Sequence, residues 1–271
     1  MQGSPLLGAV YALNRLTLAA AGSTVLLAVG SCCLVAHVFV LNDWSGMSTD
    51  LQDPHRAGAV FVNRGVARRR IGFLWMALLA LGLALLGALG VTTLMIALAI
   101  AGLSALYSFP RAQLKGVPVL NSALHFTGGL LHFLLGYSVF AAVDRRGVEI
   151  GCFFALVFVA GHLTHETRDS EGDSASGIQT NAVAFGKRQS FLGGLVLFGV
   201  ADGLLVVLAL AGTVPRFLAA VGALYPLHVY WGIETLRQGL NFETVHRLQV
   251  RYRALYAVVG VVMVAVRLGG W

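Results

Sequence analysis

Seven of the twelve acidic residues of this 271-residue chain fall in two short stretches. Asp43, Asp50 and Asp53 lie in "VLNDWSGMSTDLQDPHR", and Glu166, Asp169, Glu171 and Asp173 lie in "HETRDSEGDSASG". At about 100° per residue, Glu166, Asp169 and Asp173 share one face of a helix, and so do Asp43 and Asp50, with Asp53 about 80° away. Carboxylates aligned in this way repel one another unless a cation sits among them. Several facing carboxylates suit Mg2+, which takes oxygen ligands, typically one or two carboxylates with substrate phosphates. A merely solvated acidic loop is the alternative, and a second cluster in the same chain weighs against it.

Other polar groups stand out against an apolar background. Trp44, Tyr107 and Phe109 lie near the polar stretches, where an aromatic face can attract a cation or simply pack or anchor the chain. His125 and His132, seven residues apart, share a helical face, and with His162 and His228 they either line a cavity or sit satisfied in the interior. No Cys or carboxylate shares their spacing, so they do not read as a zinc site. Asp202, in "LFGVADGLLVV", is an ionisable residue in the middle of an apolar run and therefore a functional candidate. Cys32, Cys33 and Cys152 lie in apolar runs without metal-ligand spacing and read as small buried hydrophobes.

The elements that must position these groups are membrane helices. The chain is 57% hydrophobic and only 11% charged, whereas soluble domains are nearer 25% charged. Apolar runs long enough to span a bilayer recur throughout. We expect an all-α, polytopic bundle forming a single domain over 1–271, with eight spans near 17–41, 71–90, 92–108, 118–142, 148–165, 190–212, 214–235 and 252–269. The apolar stretch 1–13 is short, with neither a basic start nor a clear cleavage site, and does not read as a signal peptide. Loops 42–70, 109–117, 166–189 and 236–251, with Arg253, hold 14 of the 19 Lys and Arg, which predicts that this side, with both acidic clusters, faces the cytoplasm. Within it, Arg68, Arg69 and Arg70 read as a topogenic or headgroup-binding cluster. The net charge of +7 follows from these loops and calls for no nucleic-acid partner.

These motifs resemble those of the UbiA superfamily of intramembrane prenyltransferases. The family's first motif, N-D-x-x-D-x-x-x-D, is matched by Asn42, Asp43, Gly46 and Asp50, with glycine in place of the middle aspartate. Its second is matched more fully by Glu166, Asp169, Asp173 and Gly177, followed by "IQTNAVAFG" ending at Gly186. A third similarity, "LYSFPRAQLKGVPVLN", resembles the family's Tyr-Ser…Lys loop. The family usually has nine helices with about two spans before the first motif. Here about 41 residues precede it, so the first helix is either absent or reduced to 1–13.

The resemblance implies a Mg2+-dependent enzyme moving an isoprenoid from a prenyl diphosphate onto a small, commonly aromatic, acceptor within the lipid bilayer of the cell's inner membrane. It implies metal binding by Asp43, Asp50, Glu166, Asp169 and Asp173, substrate binding by Asn42, Arg56, Arg111, Lys115 and Asn121, and catalytic roles for Tyr107, Arg111 and Lys115. Arg111 and Lys115 share a face at i, i+4 and suit a diphosphate; basic residues also set topology, and Asn121 equally suits packing between helices. Asp53 is a possible replacement for the carboxylate missing at Gly46, but it lies about 10 Å further along a helix. Two alternatives remain at this point: a related terpene cyclase needing no acceptor, and a transporter, whose acids would follow a path across the membrane.

Overall fold

The computed structural model describes residues 3–51, 57–109 and 112–269. All regular structure in them is helical: α1 (Gly3–Ala12), α2 (Leu18–Asp50), α3 (Arg68–Gly87), α4 (Val91–Ser108), α5 (Leu120–Tyr137), α6 (Arg145–Ala175), α7 (Asn181–Ala184), α8 (Lys187–Leu210), α9 (Tyr225–Arg237) and α10 (Phe242–Leu268). Large apolar side chains such as Leu18, Phe73, Val91, Val196 and Val261 face outward, as a bilayer requires.

Six of the described helices, α2, α3, α4, α6, α8 and α10, are long and apolar enough to cross a membrane, against the eight spans expected. The other two expected spans fall short of that length and hydropathy for separate reasons. Helix α5 carries Asn121, Ser122, His125, Thr127 and His132, which lower its hydropathy. Stretch 214–235 divides into a 3-10 segment, Arg216–Leu224, and the 13-residue α9, which has Pro226 in its first turn. Proline supplies no amide hydrogen and ends the preceding run.

Between apolar helices in lipid there is no hydrophobic drive, so close packing through small residues must hold them together. Helix α1 shows this directly. A Cβ at Gly8 would run into the Phe133 carbonyl, and one at Gly136 into the Pro5 carbonyl, so both glycines are needed for α1 to lie against α5. Within the stretch 1–13, Gly3–Ala12 is thus a structured part of the bundle. Helix α6 lies centrally between α5 and α8, with Phe133, Ile150, Phe153, Ala201 and Leu205 fully buried among them.

Helices α2 and α6, of 33 and 31 residues, are about 50 and 46 Å long at 1.5 Å per residue. The hydrocarbon core is only about 30 Å thick. Each helix therefore outruns it by several turns, and the acidic motifs occupy the final turns of both.

Candidate active site

The ends of α2 and α6 meet around a polar cavity of about 390 Å3. One wall carries Asn42, Asp43 and Asp50; the other carries His162, Glu166, Asp169 and Asp173; Tyr107 and Lys115 close it from a third side. The two acidic clusters and the Tyr-Ser…Lys segment, far apart in sequence, thus face one space. Both acidic motifs lie at helix C-termini, where the helix dipole is negative. Dipoles and carboxylates together make this end of the bundle a strong attractor of cations.

A second, largely apolar chamber of about 1320 Å3 adjoins the first. Phe39, His162 and His165 line both and form the neck between them. Phe153, Phe154, Phe158, Tyr252 and Tyr256 contribute to its wall. At the neck His125 stacks on His162 with ring centroids 3.5 Å apart, and Tyr107 meets His125 edge-on at 5.1 Å.

The individual side chains hold diverse positions. Glu166 is buried, and its carboxylate accepts hydrogen bonds from Asn121 Nδ2 (2.5 Å) and Asn181 Nδ2 (2.8 Å). His162 Nε2 lies 3.2 Å from Glu166 Oε1, close enough for an ion pair but without hydrogen-bond alignment. Glu166 therefore fastens α5, α6 and α7 together, a positioning task not expected from its place in the motif. Asn121, expected at the substrate, is wholly buried and outside the cavity lining. It donates to the Lys115 carbonyl (3.0 Å) as well as to Glu166, so it fixes the backbone from which Lys115 projects. Asn181 Oδ1 also accepts from the Val119 amide (2.7 Å), where the backbone has φ 65. For a β-branched residue this is a strained conformation that its surroundings must enforce.

Asp169 forms a two-pronged pair with Arg168, at 2.6 and 2.9 Å. Arg168 in turn donates to Gln249 Oε1 at 2.8 Å, tying the second motif to α10. At Gly46 an added Cβ would stand 3.3 Å from Asp50 Oδ2 and 3.5 Å from Lys115 Nζ. The Lys115 ammonium thus occupies the neighbourhood where the resembled motif carries an aspartate. Arg56, Arg111 and Asp53 lie outside the described residues.

Other expectations need correcting. Trp44 is not in the cavity lining; it packs with Trp75, and Arg68 lies over its ring at 5.0 Å. Phe109 meets Trp75 edge-on. His125, His132 and His162 do line the apolar chamber, but His228 packs among Phe198, Tyr252 and Tyr256. Asp202 lines neither cavity; it accepts a hydrogen bond from Tyr256 at 3.1 Å, a tie between α8 and α10. Sequence reasoning missed His165, Arg168 and Arg253. His165 contacts Arg253, and both line the chamber. The missed signal was the helical face itself, which continues from Asp173 and Asp169 back through His165 and His162.

Among the described residues, no three His, Cys, Asp or Glu converge tightly enough to hold a metal ion alone. Mg2+ retains waters and is commonly bound through one or two carboxylates with substrate phosphates. Carboxylates spread over two walls fit a metal–diphosphate complex better than a bare ion.

The described helices thus bring two acidic helix ends to one cavity, with an apolar chamber beside it. Residues 4–241 match the UbiA prenyltransferase family, and the chain belongs to that family. Its fold is similar to that of a UbiA homolog from Archaeoglobus fulgidus bound to GPP and Mg2+ (TM-score 0.74, 17% identity, 99% of this chain and 94% of that one). The same homolog bound to DMAPP and Mg2+ gives a TM-score of 0.70 at 17% identity, covering 98% and 96%. A digeranylgeranylglyceryl phosphate synthase gives 0.72 at 18% identity, covering 99% and 93%. Among curated proteins no relative matches.

Proposed function

We propose that this chain transfers the prenyl group of a prenyl diphosphate to a small, hydrophobic, aromatic acceptor, with the whole chain acting as one membrane domain. The observation that carries this reading is an acid-lined polar cavity beside an apolar chamber, the two sharing Phe39, His162 and His165 in their walls. A prenyl diphosphate has the same division into a dense anion and a hydrocarbon tail.

Asp43, Asp50, Asp169 and Asp173 are the carboxylates suited to Mg2+, with Glu166 reserved for holding Asn121 and Asn181. Bound there, Mg2+ would neutralise the charge of the diphosphate leaving group. Lys115 directs its ammonium into the same cavity and adds a fixed positive charge. Phe39, Tyr107 and His125 surround the neck, where the allylic carbon is exposed after the C–O bond breaks, and aromatic faces stabilise positive charge there. The apolar chamber holds the tail and keeps water from the cation. The acceptor's nucleophilic atom forms the new bond to the allylic carbon, the departing diphosphate keeps the electron pair of the broken C–O bond, and the proton displaced from the acceptor passes to that diphosphate or to water.

The excess of basic residues beside the motifs supports an orientation with the polar cavity on the cytoplasmic side of the cell membrane. Cysteines placed at Ser48, Gly116 and Ser174 should label from that same side, and opposite accessibility at Ser48 and Ser174 would refute a common site. The reaction itself is tested by giving the purified protein labelled prenyl diphosphates and a panel of phenolic acceptors, with Mg2+ or with excess EDTA. A prenylated product that requires Mg2+ is expected. Full turnover in EDTA would refute the metal role, and a cyclised product from the prenyl diphosphate alone would reassign the chain as a cyclase.

A further inference from the structure

The three arginines that open α3 take no part in the transfer reaction. Helix α3 has 20 residues, so at 1.5 Å per residue it is about 30 Å long, which matches the hydrocarbon core. Its first turn, Arg68, Arg69 and Arg70, therefore stands at the level of the lipid headgroups. All three side chains are exposed, and among the described residues no carboxylate forms a salt bridge with them. The turn holds no acid, and the positive end of the helix dipole adds to the crowding of like charge. An anion from outside the chain relieves it. The three side chains leave the helix in different directions. Arg68 shares the inner face with Gly72 and Trp75 (i, i+4, i+7); its guanidinium lies over the Trp44 ring at 5.0 Å, and a Cβ at Gly72 would stand 3.3 Å from Trp44 Nε1. Arg69 heads a stripe continued by Phe73 and Met76, and Arg70 heads one continued by Leu74, Ala77 and Leu81, all of them exposed.

We infer that Arg69 and Arg70, beside an Arg68 braced on Trp44, bind the headgroup phosphate of an anionic phospholipid whose acyl chains lie along the outer face of α3. A guanidinium suits a phosphate because its parallel N–H groups meet two oxygens at once. Each outer arginine stands above apolar side chains turned to the bilayer, the same order of charge and hydrocarbon that such a lipid presents. A zwitterionic phospholipid offers the same phosphate but brings an ammonium that the arginines repel, so the site selects a net negative headgroup. A soluble phosphate gains the charge but nothing from Phe73, Leu74 and Met76. The site is separate from both cavities and stands whether or not the transfer reaction does.

The test uses tryptophan fluorescence and lipids brominated on their acyl chains, which quench only at short range. The full chain carries Trp231→Phe and Trp271→Phe, so that Trp44 and Trp75, beside the site, are the reporters. It is reconstituted into phosphatidylcholine vesicles of the same composition in both leaflets, which makes the result independent of orientation. Quenching by brominated phosphatidylglycerol and by brominated phosphatidylcholine gives their relative association constants. Phosphatidylglycerol is expected to bind at least about five-fold more tightly, the preference that one arginine near the surface confers. Arg69→Gln with Arg70→Gln should bring the ratio near one. The same loss of charge at Arg188→Gln with Arg247→Gln, exposed on other helices, should leave it intact. Unchanged quenching by brominated phosphatidylcholine shows that each variant keeps its fold. Equal association of the two lipids with the starting protein, or an equal fall in both pairs of variants, would overturn the inference. Displacement of phosphatidylglycerol by inorganic phosphate, beyond that caused by sodium chloride at the same ionic strength, would overturn it too, by assigning the arginines to a soluble anion.

Discussion

The two ends of α6 both carry acids, in opposite circumstances. At the N-terminus Asp144 caps the helix: it accepts from the Gly147 amide (2.8 Å) and the Tyr137 hydroxyl (3.0 Å), at the positive end of the helix dipole. These bonds, the Gly147 amide first, hold its carboxyl below the usual aspartate value of 3.8. At the C-terminus Asp169 and Asp173 sit at the negative end of the dipole and face Asp43 and Asp50 across a cavity. The first arrangement favours the folded chain. The second crowds four carboxylates about one cavity at the negative end of the dipole, with Arg168 and Lys115 as nearby cations, and clustered acids of this kind are commoner where chemistry is done than where a fold is merely held.

The contrast predicts a double dissociation. Asp173→Asn should lower prenyl transfer by about 10²–10³-fold or more, while thermal stability without Mg2+ stays the same or rises; Asp169→Ala should lower transfer as far but also cost stability, because it leaves Arg168 without its two-pronged partner. Asp43→Ala and Asp50→Ala should be comparably severe. Equal losses of stability and activity in the Asp173, Asp43 and Asp50 variants would erase the distinction between the two ends of α6. Lys115→Ala should mainly weaken prenyl diphosphate binding, raising KM about ten-fold, and steady-state kinetics at saturating acceptor measure this.

Narrowing the apolar chamber should leave the polar cavity untouched. Gly260 lines the chamber with only Leu7 near its missing Cβ, at 3.6 Å. Gly260→Phe should therefore shorten the longest prenyl chain accepted, with the half-saturating Mg2+ concentration unchanged, as a series of prenyl diphosphates would reveal. Asp144→Ala should cost about 1 kcal/mol of stability with full activity retained. Because folding depresses the Asp144 pKa, its contribution is present above the unfolded value and is lost as pH falls through the folded one. The wild type should lose this increment below about pH 3.8, and the variant should lack that part of the acid transition. The smallest effect concerns Gly46→Asp. It should lower the Mg2+ requirement by less than about ten-fold, because the new carboxylate lies beside Lys115 and is partly neutralised.

The sequence made the acids legible because helical spacing and topology are both local signals. Asp43 with Asp50, and Asp169 with Asp173, reach the same cavity as their faces implied. Two of the eight expected spans are less regular than their apolar patterns suggest: α5 carries polar residues such as Asn121 and His132 on its buried side, and a 3-10 segment with Pro226 just after it divides the stretch 214–235. The sequence could not show that Glu166 and Asn121 hold each other, since that bond joins residues 45 apart in sequence. Nor could it place Trp44 and Phe109, whose proximity to the motifs in sequence does not turn them toward the cavity.

The two compartments divide the labour, the polar cavity taking the anion and the apolar chamber the tail. Equilibrium binding of a prenyl diphosphate and of the matching prenyl alcohol, each with Mg2+ and with EDTA, separates them. Binding of the diphosphate should depend on Mg2+ and be lost in Asp173→Asn, while binding of the alcohol should respond to neither change. Diphosphate binding that is indifferent to both EDTA and Asp173→Asn would contradict the assignment of the acidic cavity.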